Sequence, residues 1–351
     1  TPVYNVCQPR PGVNATYYAS LVRQMSQSQW ILALAKGIRE RSTDFRFDMF
    51  GNQVVPVPPL NEQVAIVRFL DWADGRLERA IRAKRKVITL LNEQKQAIIH
   101  RTITRGLGLS VPLKPSGISW LGDVPQHWNI VPNKYLLSVV ENGSWGSDPG
   151  SAGVDARCIR GTDFDNTTLY ASVEHAPVRT FSADEYQKKV LKPGDLILST
   201  TGGNLTQATG AVVQYVGTEP ALPTNFAAKL TPRKDVHSRY LTYVYFAMNA
   251  RKVTERLTNR VTIANLDLNA YLRVPVPVPP LNEQEDIASH LDMETARFGR
   301  AIGHLKKEIE LFTQYRTRLA ADVVTGKLDV REAAAKLPDE VLNGTNVDAA
   351  D

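Results

Sequence analysis

The 351-residue sequence has little cysteine and no long apolar run. Cys7 and Cys158 are its only cysteines and lie far apart, so no disulfide framework is implied. We find neither a charged segment followed by an apolar stretch nor 18 consecutive apolar residues, the patterns of a signal peptide and a membrane span. These absences lead us to expect a cytoplasmic protein without a membrane segment.

Motifs of several enzyme classes are also missing. The sequence contains no Gly-x-Gly-x-x-Gly after a strand and no Gly-x4-Gly-Lys-Ser/Thr phosphate-binding loop. Both Pro-Pro pairs are followed by leucine, so neither forms the (Asn/Asp/Ser)-Pro-Pro-aromatic motif of an adenine methyltransferase. The six histidines show no metal-ligand spacing. We therefore expect no catalytic or metal site in this chain.

The charge balance points to a polyanionic partner. Lysine and arginine total 42 against 36 acidic residues, giving a formal net charge of +6. A modest positive excess of this kind favours nucleic acid over an acidic small molecule. The hydrophobic content of 43% is that of an ordinary folded protein, and the length predicts about two domains.

One stretch of nine residues occurs twice. Val55 to Gln63, Val-Pro-Val-Pro-Pro-Leu-Asn-Glu-Gln, recurs unchanged as Val276 to Gln284, 221 residues later. The match continues at the same offset, for example Asp71 with Asp292. The 221-residue spacing indicates that a whole module is duplicated, and a duplicated module usually binds a duplicated target.

Each copy is predicted to open a long helix. The prolines hold the preceding chain extended, and Asn61 and Asn282 are suited to the N-cap position. Apolar residues then follow at steps of three and four, and Gly106 and Gly326 lie where the helices should end. Such helices are either buried core elements, zippers between two chains, or an antiparallel pair within one chain.

Three basic residues on or near the apolar seam interrupt it, namely Lys84, Lys95 and Arg316. They either set the register of the pair or face a partner protein. The first helix is also basic from Arg79 to Lys86, which indicates either a solvated face or proximity to nucleic acid.

The segment between the helices is rich in glycine, proline and β-branched residues and is predicted to be a mixed α/β domain. Strands are predicted near Ile130 to Val140, Ala156 to Arg160, Asp195 to Thr200, Gly210 to Tyr215 and Phe226 to Leu230. Helices are predicted over Ser238 to Arg256 and, before the first repeat, over Tyr17 to Lys36.

The predicted fold class is α+β, with mixed α/β domains joined by two long helices that pair as an antiparallel coiled coil. We divide the chain into five parts. Residues 1–54 are the C-terminal part of a first α/β domain, and residues 55–108 are the first helix. Residues 109–275 form a complete second domain, residues 276–328 the second helix, and residues 329–351 a partly disordered tail.

The order of α/β domain, Pro-Pro-Leu-x-Glu-Gln and long helix, given twice, resembles the specificity (S) subunit of type I restriction–modification systems. Trp120 to Trp128 resembles the start of a target recognition domain, and Gly194 to Gly203 with Gly210 to Val213 resembles its central strands and loop. Relative to that family, the chain holds one complete recognition domain and the end of another.

The resemblance implies a non-catalytic subunit that recognises a bipartite double-stranded DNA sequence. Its helices would fix the spacing of the two half-sites and dock two modification (methyltransferase) subunits, with restriction subunits added. S-adenosylmethionine would bind the methyltransferase subunit, and ATP and Mg the restriction subunit, so this chain itself would bind no cofactor. Two such chains pairing with each other would be one way to complete the recognition unit.

Candidate site residues follow from the chemistry of DNA recognition. Arginine and lysine contact guanine or phosphate, and asparagine and glutamine contact adenine. The DNA-binding candidates are Arg157, Arg160, Lys188, Lys189, Thr201, Asn204, Gln207, Asn225, Arg251, Arg256, Asn259 and Arg260. The ordinary alternatives are a hairpin loop around Asn204 and a solvated helix face around Arg251.

Partner binding is expected at the repeat itself, because equal surfaces bind equal partners. The candidates are Leu60, Glu62, Gln63, Leu281, Glu283 and Gln284. Two other functions stay open at this point: the specificity region of a fused restriction–methylation enzyme, and a coiled-coil scaffold that does not bind DNA.

Overall fold

The computed structural model describes residues 6–34, 47–108, 110–202, 209–259 and 263–338. The chain divides into two compact units. Unit 1 comprises Thr1–Ile88 and Gly303–Asp351, and unit 2 comprises Thr89–Ile302. The repeated motif begins one long helix in each unit.

The α-helices of the described part are α1 (Ala15–Gln27), α2 (Trp30–Leu34), α3 (Phe47–Gly51), α4 (Leu60–Arg105), α5 (Ala183–Lys189), α6 (Ser238–Ala250), α7 (Val253–Arg256), α8 (Leu268–Arg273), α9 (Leu281–Val324) and α10 (Arg331–Ala335). The strands are β1 (Leu113–Pro115), β2 (Asp123–Pro125), β3 (Asn129–Pro132), β4 (Leu137–Asn142), β5 (Val154–Ile159), β6 (Phe164–Asp165), β7 (Tyr170–Ala171), β8 (Val178–Phe181), β9 (Leu196–Ser199), β10 (Thr201–Gly202), β11 (Val212–Gln214), β12 (Ala221–Pro223), β13 (Ala227–Pro232), β14 (Thr258–Asn259), β15 (Ala264–Leu266) and β16 (Pro275–Val278).

The two long helices begin directly after their proline pairs. The amide of Gln63 donates to the Pro59 carbonyl at 3.0 Å, and that of Gln284 donates to the Pro280 carbonyl at 3.0 Å. Asn61 and Asn282 therefore lie inside the first turn, and their predicted N-cap role is wrong. Proline suits this position because its fixed φ fits a helix start and its missing N–H is not needed there.

Both helices end as predicted. Gly106 follows α4 with φ +70°, and Gly326 lies just past α9 with φ +75°. This left-handed conformation ends a helix at little cost only for glycine.

In unit 1, the antiparallel pairing of the long helices is direct. Ile66 and Leu70 of α4 share a buried cluster with Leu319 and Val323 of α9. Further along α4, Lys84 Nζ lies 2.8 Å from the Glu308 carboxylate, so rising numbers on one helix meet falling numbers on the other. Helix α1 packs onto the pair through Tyr17 and Leu21, which are buried in the same cluster.

Unit 2 is the mixed α/β domain. Within the described residues, its largest sheet has six strands in the order β4-β13-β9-β11-β7-β6, antiparallel except for the β11–β7 pair. Helix α6 contributes Leu241, Val244, Tyr245 and Met248 to the core, as predicted. The unit 2 parts of the long helices reach the same core through other apolar residues, among them Ile99, Ile103, Ile287 and Leu291.

Smaller sheets complete unit 2. The second sheet has the order β12-β5-β8, and the third has the order β10-β15-β14. Two antiparallel pairs are also present: β1 pairs with β2 near the start of the domain, and β3 pairs with β16, which joins its start to its end.

Three predicted elements are interrupted. The helix expected over Ser238 to Arg256 breaks at Lys252, whose φ is +58°, and resumes as α7. The helix expected over Tyr17 to Lys36 breaks at Gln29, whose φ is +61°, and its last two residues lie outside the described part. A 3₁₀ turn at Asn133–Leu136 divides the strand expected near Ile130 to Val140.

The other predicted strands correspond to β5, β9, β11 and β13. Within the described ranges, no helix is both long and apolar enough to span a bilayer.

Candidate functional site

A cleft of about 460 Å³ opens in unit 2 where β9 ends and β13 begins. We call it the β9–β13 cleft, and its lining includes Trp145, Arg160, Thr201, Phe226 and Ile263. Antiparallel pairing of Ser199 with Ala227 brings these two strand ends to the same edge of the sheet. Segments distant in sequence therefore converge there.

A tight turn presents two side chains at the cleft. The Ala227 amide donates to the Thr224 carbonyl at 2.9 Å, which makes Asn225 and Phe226 the central residues of a β-turn. The Phe226 carbonyl accepts from the Thr200 and Thr201 amides at 2.9 and 3.2 Å. The turn is thus held rigidly while both of its central side chains face solvent.

A row of polar side chains crosses the three-stranded sheet beside this turn. Thr201 pairs with Asn265, and Asn265 pairs with Asn259. Residues directly opposite each other in a sheet share one face. The Thr201 hydroxyl donates to Asn265 Oδ1 at 3.2 Å, and both asparagines are exposed.

The predicted arginines of this region are engaged within the domain. Arg160 donates twice to Asp163, at 3.0 Å each, and once to the His175 carbonyl. The hydrogen bonds that Arg160 donates to Asp163 raise the pKa of the Arg160 guanidinium. Arg157 pairs with Glu219 at 3.4 Å and donates to the Ala176 carbonyl at 3.0 Å.

Four other predicted cations do not line this cleft. Lys188 pairs with Asp184 at 2.9 Å on the exposed side of α5, and Lys189 donates to the Gly143 carbonyl at 3.3 Å. Arg251 and Arg256 are exposed around the break between α6 and α7. Asn204, Gln207 and Arg260 lie outside the described residues.

The structure adds residues that the sequence analysis missed. Trp145, Phe226 and Ile263 line the cleft with exposed fractions of 42, 53 and 63%. Phe226 had a local signal, since it is an aromatic residue in a turn beside Asn225. Asn265 had none, because its pairing with Thr201 joins strands 64 residues apart.

The glutamines of the repeat are used inside the subunit. Gln63 Oε1 accepts from the Asn14 amide at 2.7 Å, and its Nε2 donates to the Pro58 carbonyl at 2.8 Å. Gln284 makes the same pair of contacts, with the His237 amide and the Pro279 carbonyl, both at 2.9 Å. Asn14 and His237 are the N-caps of α1 and α6.

Both glutamine side chains are fully buried. A separate subunit cannot reach them, so the expectation that they bind a partner is not carried forward. Their contacts instead fix α4 to the start of α1 and α9 to the start of α6. That the start of the chain repeats the end of an α/β domain stays a prediction.

The glutamates of the repeat have different partners in the two units. Glu62 lies 3.8 Å from Arg331 in unit 1. In unit 2, Glu283 accepts from His127 Nε2 at 2.9 Å and from Trp128 Nε1 at 3.0 Å. Both carboxylates are therefore engaged by their own unit.

Exposed leucines recur at matched positions of the repeat. Leu60 and Leu281 are 50 and 40% exposed, and Leu90 and Leu311, which share the 221-residue offset, are 52 and 51% exposed. Unit 1 holds Leu60 and Leu311, and unit 2 holds Leu281 and Leu90. We call these four residues, two in each unit, the exposed leucine pairs.

No group of three or more histidine, cysteine or acidic side chains suited to a metal ion occurs among the described residues. The one buried thiol, Cys158, has its pKa raised to about 11 by desolvation, which makes it a poor nucleophile.

Comparison with known proteins identifies relatives. Residues 166–311 match the family model for the type I restriction modification DNA specificity domain. The chain is 22% identical over 291 residues to the type I restriction enzyme MjaVIII specificity subunit of Methanocaldococcus jannaschii, a match that spans 81% of this chain and 64% of that protein. It is 21% identical over 215 residues to the EcoKI specificity subunit of Escherichia coli K12, spanning 59% of this chain and 44% of that one.

The fold has a solved counterpart. A structure described as "Structural basis underlying complex assembly and conformational transition of the type I R-M system" superposes with a TM-score of 0.63 at 18% identity, over 91% of this chain and 73% of that one.

Proposed function

We propose that this chain, which is similar to type I restriction–modification specificity subunits, is the non-catalytic subunit that recognises a DNA half-site through the β9–β13 cleft. The observation that carries this proposal is the convergence of Asn225, Thr201 and Asn265 beside exposed aromatic groups. Amide and hydroxyl groups of this kind form paired hydrogen bonds with base edges in the major groove.

The remaining candidate cations would serve the phosphate backbone. Lys188, Arg251 and Arg256 are exposed and lie apart from the cleft, as expected for groups that fix position without selecting sequence. Asn204, Gln207 and Arg260 stay predictions. Each phosphate neutralised would add to the salt dependence of binding.

We further propose that the exposed leucine pairs dock two methyltransferase subunits, one on each unit. These leucines are about half-exposed in both copies of the repeat, so packing inside the subunit does not explain why they recur. Two copies of one partner, each bound to one unit, would explain it. The methyltransferase subunits would carry S-adenosylmethionine, and restriction subunits would carry ATP and Mg. The assembly would act on DNA in the cytoplasm.

The test is reconstitution of the full chain with its methyltransferase subunit and S-adenosylmethionine, followed by sequencing of N6-methyladenine on genomic DNA. A single motif with a fixed spacer is the expected result, and a palindromic motif would show two chains paired with each other. A complex that forms but methylates without sequence preference would contradict recognition by this chain. Absence of both complex and DNA binding would favour a scaffold.

A further inference from the structure

The β9–β13 cleft exposes more apolar side-chain surface than contacts with the DNA backbone would use. Trp145, Phe226 and Ile263 expose roughly half of their surface around one opening. Exposed large apolar groups that cluster beside polar ones mark a binding site. Phosphates and sugars offer no apolar group of matching size, whereas the C5 methyl of thymine does.

The polar part of the cleft has the chemistry that complements adenine. Three exposed asparagines, Asn225, Asn259 and Asn265, lie at the cleft turn or in the adjoining sheet. An asparagine amide donates to adenine N7 and accepts from its N6 amino group, the pair of contacts that distinguishes adenine from guanine. Thr201 adds a hydroxyl and a methyl group to the same row.

Within the described part of the cleft, the two nearby guanidinium groups that could contact guanine are bound by other groups of the domain. Arg160, the arginine that lines the cleft, is bound at both edges by Asp163 and His175. Arg179 lies 4.8 Å from the Trp145 ring centroid and donates to Asp148 at 2.7 Å. Bidentate recognition of guanine by either arginine would first have to break these contacts, so the free groups among the described residues of the cleft favour A·T pairs.

We infer that the β9–β13 cleft recognises A·T base pairs, with Phe226 and Ile263 in contact with thymine C5 methyls and the neighbouring asparagines on adenine. This inference rests on the proposed function and extends it by naming the base class and the residues that select it. Neither residue was a candidate from the sequence, and the contact is apolar rather than a hydrogen bond.

The experiment uses the methyltransferase complex described above, formed with the full chain. A random duplex library is selected for binding, and the enriched motif is then made with either thymine or uracil, which lacks only the C5 methyl. For the wild-type chain, we expect uracil to weaken binding about fourfold per contacted methyl, the value of one buried methyl-sized group.

Three variants localise the effect. Phe226→Ala combined with Ile263→Ala should bind thymine and uracil duplexes equally, whereas Phe226→Leu should keep the preference for thymine because it keeps an apolar side chain. Tyr135→Ala is the matched control, since Tyr135 is an equally exposed aromatic residue of unit 2 that does not line the cleft. It should leave the thymine preference unchanged.

The outcomes separate the two proposals. An enriched motif that binds equally well with uracil, or that contains only G·C pairs in the half-site contacted by this domain, overturns the inference and leaves the proposed function standing. Sensitivity to uracil that persists in the double variant also overturns it. Absence of any enriched motif overturns both.

Discussion

The same nine residues begin α4 in unit 1 and α9 in unit 2, but their surroundings are only partly the same. Gln63 and Gln284 make equivalent hydrogen bonds to the caps of α1 and α6. Glu62 and Glu283 bind different groups, an arginine in one unit and a histidine–tryptophan pair in the other. The repeat therefore combines residues that serve the fold in one common way with residues that the two units use differently.

About two turns further along each helix, the units differ more. Asp292 accepts from the buried Arg239 at 2.7 Å, and Arg239 also donates to the carbonyls of Thr168 and Leu169. The caps Asn14 and His237 place Thr16 of unit 1 at the position of Arg239. Asp71, the counterpart of Asp292, has its pKa raised by burial. The complete α/β domain thus has an ionic anchor to its long helix at a position where unit 1 has a threonine.

Removing that anchor should give the largest effect. We expect Arg239→Met to destabilise unit 2 by about 2–4 kcal/mol, because it removes the cationic partner of Asp292 and the side-chain donor to the Thr168 and Leu169 carbonyls. Asp292 would keep the Tyr243 hydroxyl and the Leu169 carbonyl would keep the Gln214 amide as donors. Thr16→Ala, the matched change in the exposed counterpart, should cost less than about 0.5 kcal/mol. Urea unfolding, with hydrogen exchange followed separately in each unit, measures the loss of stability in both variants. Equal losses in the two variants would contradict the proposed difference between the units.

Changes in the equivalent glutamines should affect the two units alike. Gln63→Leu and Gln284→Leu each leave an amide and a carbonyl that are at least partly buried without their side-chain partner, at a cost of about 1–3 kcal/mol each. The slowed exchange of the Asn14 or His237 amide should be lost in the corresponding variant. Gln96→Leu, on the exposed side of α4, is the control and should change stability little. A loss of stability in only one of the two variants would show that the two glutamines are not equivalent.

The surface ion pair between the two long helices should contribute much less to the free energy of unfolding. Lys84 and Glu308 are both partly exposed, so Lys84→Met should change the free energy of unfolding by less than about 1 kcal/mol. Its Nζ also lies 5.4 Å from the Phe312 ring centroid, a cation–π contact that methionine removes and that is weak at an exposed site. A larger loss in denaturant unfolding would show that Lys84 sets the register of the pair.

The smallest expected effect is a pH dependence at Asp71. Burial raises its folded-state pKa above 3.8, so the folded protein binds this proton more tightly than the unfolded chain does. The resulting stabilisation is present at low pH and is lost as pH rises through the raised pKa. Asp71→Asn should therefore gain stability relative to wild type as pH rises through the raised pKa, measured by melting temperature.

The long helices and their pairing were predictable because their signals are local. The proline pair, the apolar steps of three and four and the terminal glycines are all visible in a short window of sequence. The breaks at Gln29 and Lys252 were not, because each is a non-glycine residue with positive φ. Neither residue carries the glycine or proline signal that usually marks a break.

The site was only partly predictable for a related reason. Thr201 and Asn225 were identified by residue type within polar loops, and both lie at the cleft or its turn. Arg160 was identified in the same way, but its side chain is committed to Asp163, a contact that depends on the local turn. Asn265 joins the site only through strand pairing across 64 residues, and residue type alone cannot predict such pairing.

The central claim, two equal docking surfaces on one chain, is tested most directly by counting bound partners. Native mass spectrometry of the complex with methyltransferase subunits should show two copies on the wild-type chain. Leu90→Glu should remove one copy, Leu311→Glu should remove the other, and the double variant should bind none, while Glu93→Gln on the same helix should keep both. A single bound copy on the wild-type chain, or two copies retained by both leucine variants, would contradict the claim.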